Sequence, residues 1–334
     1  MGPQAASDCA ISTIGLRKSF TIGRKRLEAV CGVNLYVGRA ETFGFLGPNG
    51  AGKTTTLRML ATLLSIDEGE ATVAGVDVRC NPGEVRRRIG YVGQLGGADL
   101  PATGRENLLL QGRLYGASKP ETIRRADELI ELLALGEFAD RAARTYSGGQ
   151  RRRLEVALGI MHRPDVLFLD EPTTGLDPQN RANLWDQLRA LRSSGTTIFL
   201  TTHNLEEADA LADRVAIIDH GTVVAEGTPL ELKRQIGGGM FVVHTGLPPS
   251  EMESLRAALV GLEPISEAWV DGVAVSLRTD DGLAAMSAIA RVLESRNVPL
   301  AALSLSEASL DDVFLQQTGR SLRDAGQSSA ETPR

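Results

Sequence analysis

A glycine-rich turn between an apolar strand and a helix is the first stretch of this sequence whose residue types could do chemistry. "ETFGFLG" ends at Gly47, and Gly52, Lys53 and Thr54 complete the pattern G-x-x-x-x-G-K-[ST] at the start of the helix "KTTTLRML". In this context backbone N–H groups and the helix N-terminus surround phosphates, and the glycines permit a close approach. We therefore predict that Lys53 reaches the β- and γ-phosphates of a nucleotide and that the Thr54 hydroxyl binds Mg²⁺.

The whole turn is predicted to contact the nucleotide, with Thr55 next to the α-phosphate. The predicted contact residues are Gly47, Pro48, Asn49, Gly50, Ala51, Gly52, Lys53, Thr54 and Thr55. A glycine turn that merely changes the chain direction is the alternative, but the strand before it and the helix after it favour phosphate binding. The sequence has no Asn-Lys-x-Asp motif, which reads guanine, so ATP is the predicted nucleotide. Phe20, in "LRKSF", is a candidate for stacking on adenine; a core aromatic is the alternative.

Two acidic residues follow a second apolar stretch, "VLFLDEP". Asp170 ends the predicted strand, where a carboxylate can hold Mg²⁺ through its water shell. Glu171 is the next residue, and we predict that it activates the attacking water as a general base. Two solvated carboxylates that cap a strand are the alternative, and the presence of a phosphate loop in the same chain favours the hydrolytic interpretation.

A second glycine turn opens a helix in "YSGGQRRRLEVALGI". The hydroxyl of Ser147 and the N–H groups of Gly148 and Gly149 form a candidate anion site at a positive helix end. Because one phosphate cradle is enough for one nucleotide, we predict that this turn serves the nucleotide bound to another copy of the chain. An ordinary helix cap is the alternative. The arginines at 151–153 are interpreted as a solvated helix face without a role in the site.

The composition is that of an ordinary globular chain and argues against several classes of protein. Of 334 residues, 42% are hydrophobic and 23% are charged, and a net charge of −6 argues against a protein that mainly grips nucleic acid. Cys9, Cys31 and Cys80 are far apart, so neither disulfides nor a zinc site is expected and a reducing cytoplasm fits best. An apolar run of about 18 residues and an export signal are both missing from the sequence, so we expect another protein to hold this one at a membrane.

Strands that alternate with helices predict an α/β domain with a largely parallel sheet, which must position these residues. "VLFLD", "TIFLTTH" and "RVAIIDHGTVVAEG" are each predicted to form a buried strand. The glycines of "QIGGGM" predict a boundary between a nucleotide-binding domain at 10–236 and an accessory domain at 240–318. The accessory domain has the order β-α-β-β-α-β, which suggests a ferredoxin-like α+β fold, with Asp271 and Gly272 in a type I′ turn. Residues 319–334 are predicted to be disordered.

Five motifs occur in the order found in the ATP-binding subunits of ABC transporters: "GPNGAGKTT", "IGYVGQ", "YSGGQRRR", "VLFLDEPTTGLDP" and "TTH". The resemblance covers residues 11–235. It implies a P-loop NTPase fold of the ABC type, in which a helical subdomain accompanies a mainly parallel sheet. The C-terminal stretch "EASLDDVFLQQTGR" resembles the end of drug-export ATPases of the daunorubicin-resistance type.

The resemblance also implies roles for further residues. Gln94 is similar to the glutamine that touches Mg²⁺ and responds to the membrane subunit, and His203 to the histidine that contacts the γ-phosphate; a surface histidine is the alternative. Gln150 completes the signature "SGGQ", which contacts the nucleotide. Asp177, in "GLDP", is similar to the aspartate that crosses the dimer interface.

The implied function is that of the ATPase subunit of an ABC exporter at the cytoplasmic face of the cell membrane. Two copies would enclose two Mg²⁺·ATP and drive a separate pair of membrane permease subunits. The alternatives are the ATPase of an importer and a soluble ABC protein that acts on ribosomes or DNA. The C-terminal "LDDVFL" favours the exporter over the importer, and a single ATPase unit without long heptad repeats argues against the ribosomal and DNA-repair types.

Overall fold

The fold is that of a computed structural model of the chain, which describes residues 9–23, 25–235, 239–279, 281–306 and 309–318. The segment predicted to be disordered, 319–334, lies outside these ranges, as do two of the three glycines of the predicted joint. The contacts divide the chain into two compact units, the first of which ends at Pro229 while the second begins at Leu230. The division therefore lies upstream of the glycine stretch.

The strands in chain order are β1 (Cys9–Ile22), β2 (Lys25–Gly38), β3 (Thr42–Leu46), β4 (Glu68–Val73), β5 (Val76–Asp77), β6 (Ile89–Val92), β7 (Val166–Asp170), β8 (Thr197–Thr202), β9 (Arg214–Asp219), β10 (Thr222–Gly227), β11 (Met240–Thr245), β12 (Ile265–Asp271), β13 (Ala274–Thr279) and β14 (Leu300–Ser306). The helices are α1 (Lys53–Leu60), α2 (Pro82–Arg88), α3 (Gly104–Leu114), α4 (Lys119–Leu132), α5 (Gly148–Gly159), α6 (Pro178–Ser193), α7 (Leu205–Leu211), α8 (Pro229–Gln235), α9 (Pro249–Leu259), α10 (Gly282–Ser295) and α11 (Leu310–Thr318). Within the described ranges, no helix combines the length and the apolar character that crossing a membrane requires.

The central sheet of the first unit has the strand order β10-β9-β3-β8-β7-β6. Its pairs from β9 to β6 are parallel, and the edge strand β10 is antiparallel to β9. The rings of Phe43 on β3 and Phe168 on β7 both pack on Phe199 of β8, at centroid distances of 5.6 and 5.7 Å. This packing fixes β3 and β7 on either side of β8, so the residues that follow both strands lie at one edge of the sheet.

The prediction of a single strand after α7 is wrong, because this stretch forms the antiparallel hairpin β9–β10. His220 and Gly221 both have positive φ, 45° and 77°, as a two-residue type I′ turn requires. The turn also packs on the glycine loop: the Gly221 N–H donates to the Ala51 carbonyl at 3.0 Å. The Gly221 carbonyl in turn accepts from the N–H of Cys31 at 2.8 Å, so the hairpin turn ties the loop to β2.

A second sheet and a helical part complete the first unit. The sheet has the order β2-β1-β4-β5 with antiparallel neighbours, and β1 and β2 form a long hairpin. Helices α3, α4 and α5 pack around a core that includes Leu108, Leu129 and Leu154. All three begin with a capping box, in which a serine or threonine and a Glu or Gln three residues later satisfy each other's backbone N–H groups. These helices form the predicted helical subdomain.

After α8, the second unit has the order β11-α9-β12-β13-α10-β14-α11, and its antiparallel sheet has the strand order β12-β13-β11-β14. The predicted α/β fold with a ferredoxin-like accessory domain is therefore confirmed. The turn between β12 and β13 differs by one residue from the prediction, because Asp271 pairs with Ala274. Gly272 and Val273 form the loop, and Gly272 has a φ of 59°. A positive φ at the first loop position is the requirement of a type II′ turn, not of the type I′ turn predicted at Asp271 and Gly272.

Candidate functional site

Two positions of the phosphate loop require glycine, because the backbone of neighbouring strands lies too close for a side chain. A Cβ on Gly47 would lie 2.3 Å from the Ile218 carbonyl oxygen, and one on Gly52 would lie 2.4 Å from that of Ala29. Gly52 also has a φ of 104° where α1 begins. Between them, the Ala51 N–H donates to the Pro48 carbonyl at 3.2 Å. The loop is thus held against β9 and β2, with Asn49 and Gly50 exposed at its tip and Thr55 half-buried on α1.

Lys53 is buried at the first position of α1. Its Nζ donates to the carbonyl oxygens of Gly47 and Pro48 at 2.7 and 3.0 Å and lies 3.8 Å from Glu171 Oε1. Burial lowers the pKa of Lys53, and the carboxylates of Glu171 and Asp170 oppose that shift. The cation is therefore held at the centre of the loop, where it can interact with phosphate oxygens.

Asp170 ends β7 and is fully buried. Its Oδ1 accepts hydrogen bonds from the hydroxyls of Thr54 at 2.9 Å and Thr201 at 2.7 Å. Its buried Oδ2 has no hydrogen-bond partner within the described chain. A buried carboxylate oxygen without a partner, next to a threonine hydroxyl, fits the ligands that Mg²⁺ takes beside a nucleotide. Thr201 was not identified from the sequence, and nothing in "TIFLTTH" distinguishes it from Thr202.

Glu171 contacts the side chains of both Lys53 and His203. Its Oε1, which lies 3.8 Å from Lys53 Nζ, also lies 3.2 Å from His203 Nδ1, and its Oε2 accepts from the Thr174 hydroxyl at 3.2 Å. Burial raises the pKa of Glu171, but the hydrogen bond from His203 and the charges of His203 and Lys53 outweigh it and lower the pKa. Glu171 is therefore ionised at neutral pH and can accept a proton.

Gln94 lies in the turn that follows β6 and is exposed. It lines a cavity of about 270 Å³ together with Glu171 and Gly148. The structure therefore brings Gln94 next to the predicted base, and places the start of the second glycine turn at the same cavity.

The second glycine turn forms its own cluster with the start of α6. Gln150 N–H donates to Ser147 Oγ at 3.2 Å, and the Gln150 side chain accepts from the Ser147 N–H at 3.0 Å. A Cβ on Gly149 would meet the Asn180 side chain at 2.4 Å, whereas Gly148 faces open space. Asn180 also donates from its backbone to Asp177 at 3.0 Å, and this hydrogen bond lowers the pKa of Asp177. Asn180 thus joins Ser147, Gly149 and Asp177 in one region, although the sequence did not single it out.

Phe20 lies on β1, opposite Leu27 in the long hairpin. Its half-buried ring lies 5.8 Å from Lys18 Nζ. Its role as an adenine platform remains a prediction.

The interpretation of 151–153 as a solvated helix face is wrong, because Arg152 is buried. Its guanidinium donates to the carbonyls of Gly93, Asp170 and Pro172 and contacts the carboxylate of Glu155 at 3.2 Å. The sequence did carry a signal: the helix continues as "LEVALGI", in which a lone glutamate among apolar residues needs a cation one turn away.

Known proteins resemble this chain over most of its length. The family model described as "ABC transporter" matches residues 30–174. The daunorubicin/doxorubicin resistance ATP-binding protein DrrA of Streptomyces peucetius is 48% identical over 93% of this chain and 92% of its own length. The Nod factor export ATP-binding protein I of Ralstonia nicotianae is 39% identical over 97% of this chain and 98% of its own.

Solved structures of ATP-binding cassettes resemble the first unit. The dimeric structure of a bacterial ABC transporter cassette has a TM-score of 0.61 and 27% identity, over 65% of this chain and 98% of its own. A dimeric post-hydrolysis state of such a cassette, bound to ADP and Pi, has a TM-score of 0.60 and 26% identity over the same shares. From these relatives and the geometry of the loop, this chain belongs to the ABC transporter family, as an ATP-hydrolysing ATP-binding subunit of the daunorubicin-resistance type.

Proposed function

We propose that two copies of this protein hydrolyse two Mg²⁺·ATP and thereby power the export of a drug or another hydrophobic natural product. The observation that carries the proposal is the position of Glu171, ionised between Lys53 and His203 and adjacent to the buried Asp170. This arrangement supplies a base, a cation for phosphate oxygens and a candidate metal ligand within one edge of a sheet.

Hydrolysis is an in-line attack of water on the γ-phosphorus, and the residues act mainly by position and charge. The phosphates of ATP compete with the Gly47 and Pro48 carbonyls and with Glu171 for the Lys53 ammonium. Once Lys53 turns to the phosphates, the Glu171 carboxylate retains its hydrogen bond to His203 and accepts the proton of the attacking water. His203 then lies where it can contact the γ-phosphate.

Asp170 and Thr54 are the residues that would hold Mg²⁺, through the unpartnered Asp170 Oδ2 and the threonine hydroxyl, with Gln94 at the cavity beside Glu171. The ion supplies neutralisation of charge on the β- and γ-phosphate oxygens. The hydrogen bond from Thr54 to Asp170 Oδ1 keeps the threonine hydroxyl at the end of β7.

The Ser147 turn is the part of the chain for which we propose a second copy as partner. It begins α5 with a capping box and faces open space at Gly148, so it is accessible to a ligand held by another copy. An exposed helix N-terminus of this kind attracts anions. We propose that the turn closes on the γ-phosphate of the partner's ATP, with Asp177 at the same interface. The dimeric cassettes among the solved relatives support this arrangement.

A membrane permease is the proposed second partner, and it would hold the protein at the cytoplasmic face of the cell membrane. Gln94, which by resemblance responds to the membrane subunit, is exposed and therefore accessible to such a partner. Resistance and export appear in the names of the relatives, which favours an exporter over an importer ATPase or a ribosome- or DNA-acting protein.

The test is the change Glu171→Gln, which keeps the side-chain shape but removes the base. Phosphate release should fall by about 10²–10⁴-fold, the usual contribution of a general base, whereas ATP binding should persist because the loop is unchanged. Glu206→Gln is the control, since Glu206 is an exposed glutamate on α7 that pairs with Arg181. Hydrolysis by Glu171→Gln at the rate of the parent would contradict the assignment of the base.

A further inference from the structure

Arg152 has a set of contacts that the proposed mechanism does not yet use. It lies on α5 less than two turns after Ser147, and its Nη1 donates to the Gly93 carbonyl at 2.7 Å. Its Nη2 donates to the Asp170 carbonyl at 3.1 Å, and its Nε to the Pro172 carbonyl at 2.9 Å. These carbonyls belong to the residue before Gln94 and to the two residues on either side of Glu171. One planar guanidinium therefore fixes the spacing of both segments.

Glu155 holds the other end of the Gln94 turn. Its carboxylate accepts from Arg152 Nη1 at 3.2 Å, and both side chains are buried. A Cβ on Gly96 would lie only 2.0 Å from Glu155 Oε1, so that carboxylate lies directly against the turn. The turn of residues 93–96 thus rests on Arg152 at its first residue and on Glu155 at its last. Its exposed tip carries Gln94 and Leu95.

The pair lies on the same rigid helix as the second glycine turn. Ser147 caps α5, and Arg152 and Glu155 follow on the face that meets β6 and β7. A buried ion pair is by itself weak evidence for stability, since desolvation of two charges offsets their attraction. The backbone acceptors of Arg152, however, flank Gln94 and Glu171. These contacts indicate that the pair positions the two predicted site residues.

We propose that Arg152 is a positioning residue for hydrolysis. Through the Asp170 and Pro172 carbonyls it sets the place of Glu171, and through the Gly93 carbonyl it sets the place of Gln94. Because it shares α5 with Ser147, closure of that turn on the partner's ATP moves both residues in the subunit to which α5 belongs. The inference rests on the proposed two-copy ATPase and adds the residue that links one nucleotide site to the other.

Arg152→Lys tests the proposal. Lysine keeps a cation beside Glu155 but cannot reproduce the forked hydrogen bonds to three carbonyls. For the full-length protein, kcat of ATP hydrolysis should fall about 10- to 100-fold, as misplacement of a catalytic group by about 1 Å does. The Kd for ATP should change less than about twofold, because the Lys53 loop is untouched. Loss of ATP binding together with kcat would indicate a structural role and overturn the proposal.

Arg153→Lys is the matched control, with the same chemical change at the next position of α5. The Arg153 guanidinium donates to the Ala134 carbonyl at 2.9 Å and lies 5.1 Å from the Phe138 ring, within the helical part. Its kcat should stay within about twofold of the parent. An equal loss of kcat in both variants would assign the effect to α5 in general and not to Arg152.

A double variant separates positioning from an independent effect. The effect of Arg152 that passes through Glu171 is lost with that carboxylate, which leaves only the effect through Gln94, so Arg152→Lys should slow the residual single-turnover hydrolysis of Glu171→Gln by less than about threefold. Multiplication of the two separate losses would overturn the proposal. Should Arg152→Lys fail to fold, Glu155→Gln provides a milder break of the same pair and should lower kcat in the same direction. If the parent protein hydrolyses ATP and Arg152→Lys hydrolyses it equally fast, this inference alone is refuted. If the parent protein does not hydrolyse ATP, the proposed function is refuted.

Discussion

Glu171 has an unfavourable backbone conformation, in addition to its side-chain contacts with Lys53 and His203. Its φ of 47° lies in the left-handed region, which costs a non-glycine residue about 1–3 kcal/mol. Two contacts offset this strain: the Glu171 N–H lies 3.0 Å from the carbonyl oxygen and 3.2 Å from the hydroxyl of Thr201. Strand β8 therefore fixes the backbone of the residue that follows β7, and the carboxylate points to Lys53 and His203.

The Glu171–His203 pair predicts a pH-dependent stability of the ATP-free protein. The hydrogen bond with Glu171 raises the pKa of His203 against the effect of burial, and the same pair lowers the pKa of Glu171. Stabilisation through His203 is complete below its ordinary pKa of about 6.5 and is lost as pH rises through the folded pKa. Stabilisation through Glu171 is complete above its ordinary pKa of about 4.3 and is lost as pH falls through the folded value. The pair therefore stabilises most between roughly pH 5 and 6.

His203→Gln should accordingly lower the urea midpoint most at about pH 5–6 and progressively less towards pH 8. The control is the same change in a Glu171→Gln background, where most of this pH dependence should disappear because the partner carboxylate is gone. A destabilisation of constant size across this range would show that His203 does not pair with Glu171.

At the scale of elements, α5 combines a feature that the sequence predicts with one that it hides. The Ser147–Gln150 capping box can be read from "SGGQ", because S-x-x-Q before a helix is a local pattern. The burial of Arg152 cannot be read in the same way, because its three acceptors come from distant segments of the chain. The His220 turn escaped for a related reason: its two loop residues are His220 and Gly221, and the first loop position lacks the Asn or Asp that marks a type I′ turn in a sequence.

The Ser147 turn predicts an ATP-dependent dimer that a bulky side chain would block. In the Glu171→Gln background ATP persists, so two copies should remain associated and the mass by light scattering should double on addition of ATP. Ser147→Arg in that background should prevent the doubling, because the side chain occupies the anion site at the helix start.

Ser118→Arg is the matched control for loss of a helix cap. Ser118 caps α4 through the same kind of capping box, with Glu121. The two substitutions therefore remove equivalent caps, each worth about 1 kcal/mol. Loss of the dimer in both variants would mean that Ser147 is merely a cap.

At the scale of the whole molecule, the sequence predicts the architecture of each unit better than the boundary between them. Alternating strands and helices indicate the parallel sheet, and a short β-α-β-β-α-β pattern indicates the second unit, because both depend on local periodicity. The boundary depends on whether each segment packs in the first or the second unit. Three consecutive glycines do not indicate in which unit the neighbouring residues pack. The contacts assign the chain from Leu230 onward to the second unit, although the composition changes only after Gln235.

We predict that the second unit folds alone and that its stability requires α8. The unit has its own core, including Phe241, Val243, Leu255 and Leu277. The contacts assign α8 from Leu230 onward to this unit, Leu232 on α8 is fully buried, and burial of a leucine side chain contributes about 1.5–3 kcal/mol. In a domain of this size 1 kcal/mol changes Tm by about 4–8 °C, so a fragment of residues 230–321 should melt at least about 5 °C above a fragment of residues 240–321. Circular dichroism during heating measures both. Equal melting temperatures would move the boundary to the glycine stretch, and the lack of a cooperative transition in the longer fragment would refute independent folding.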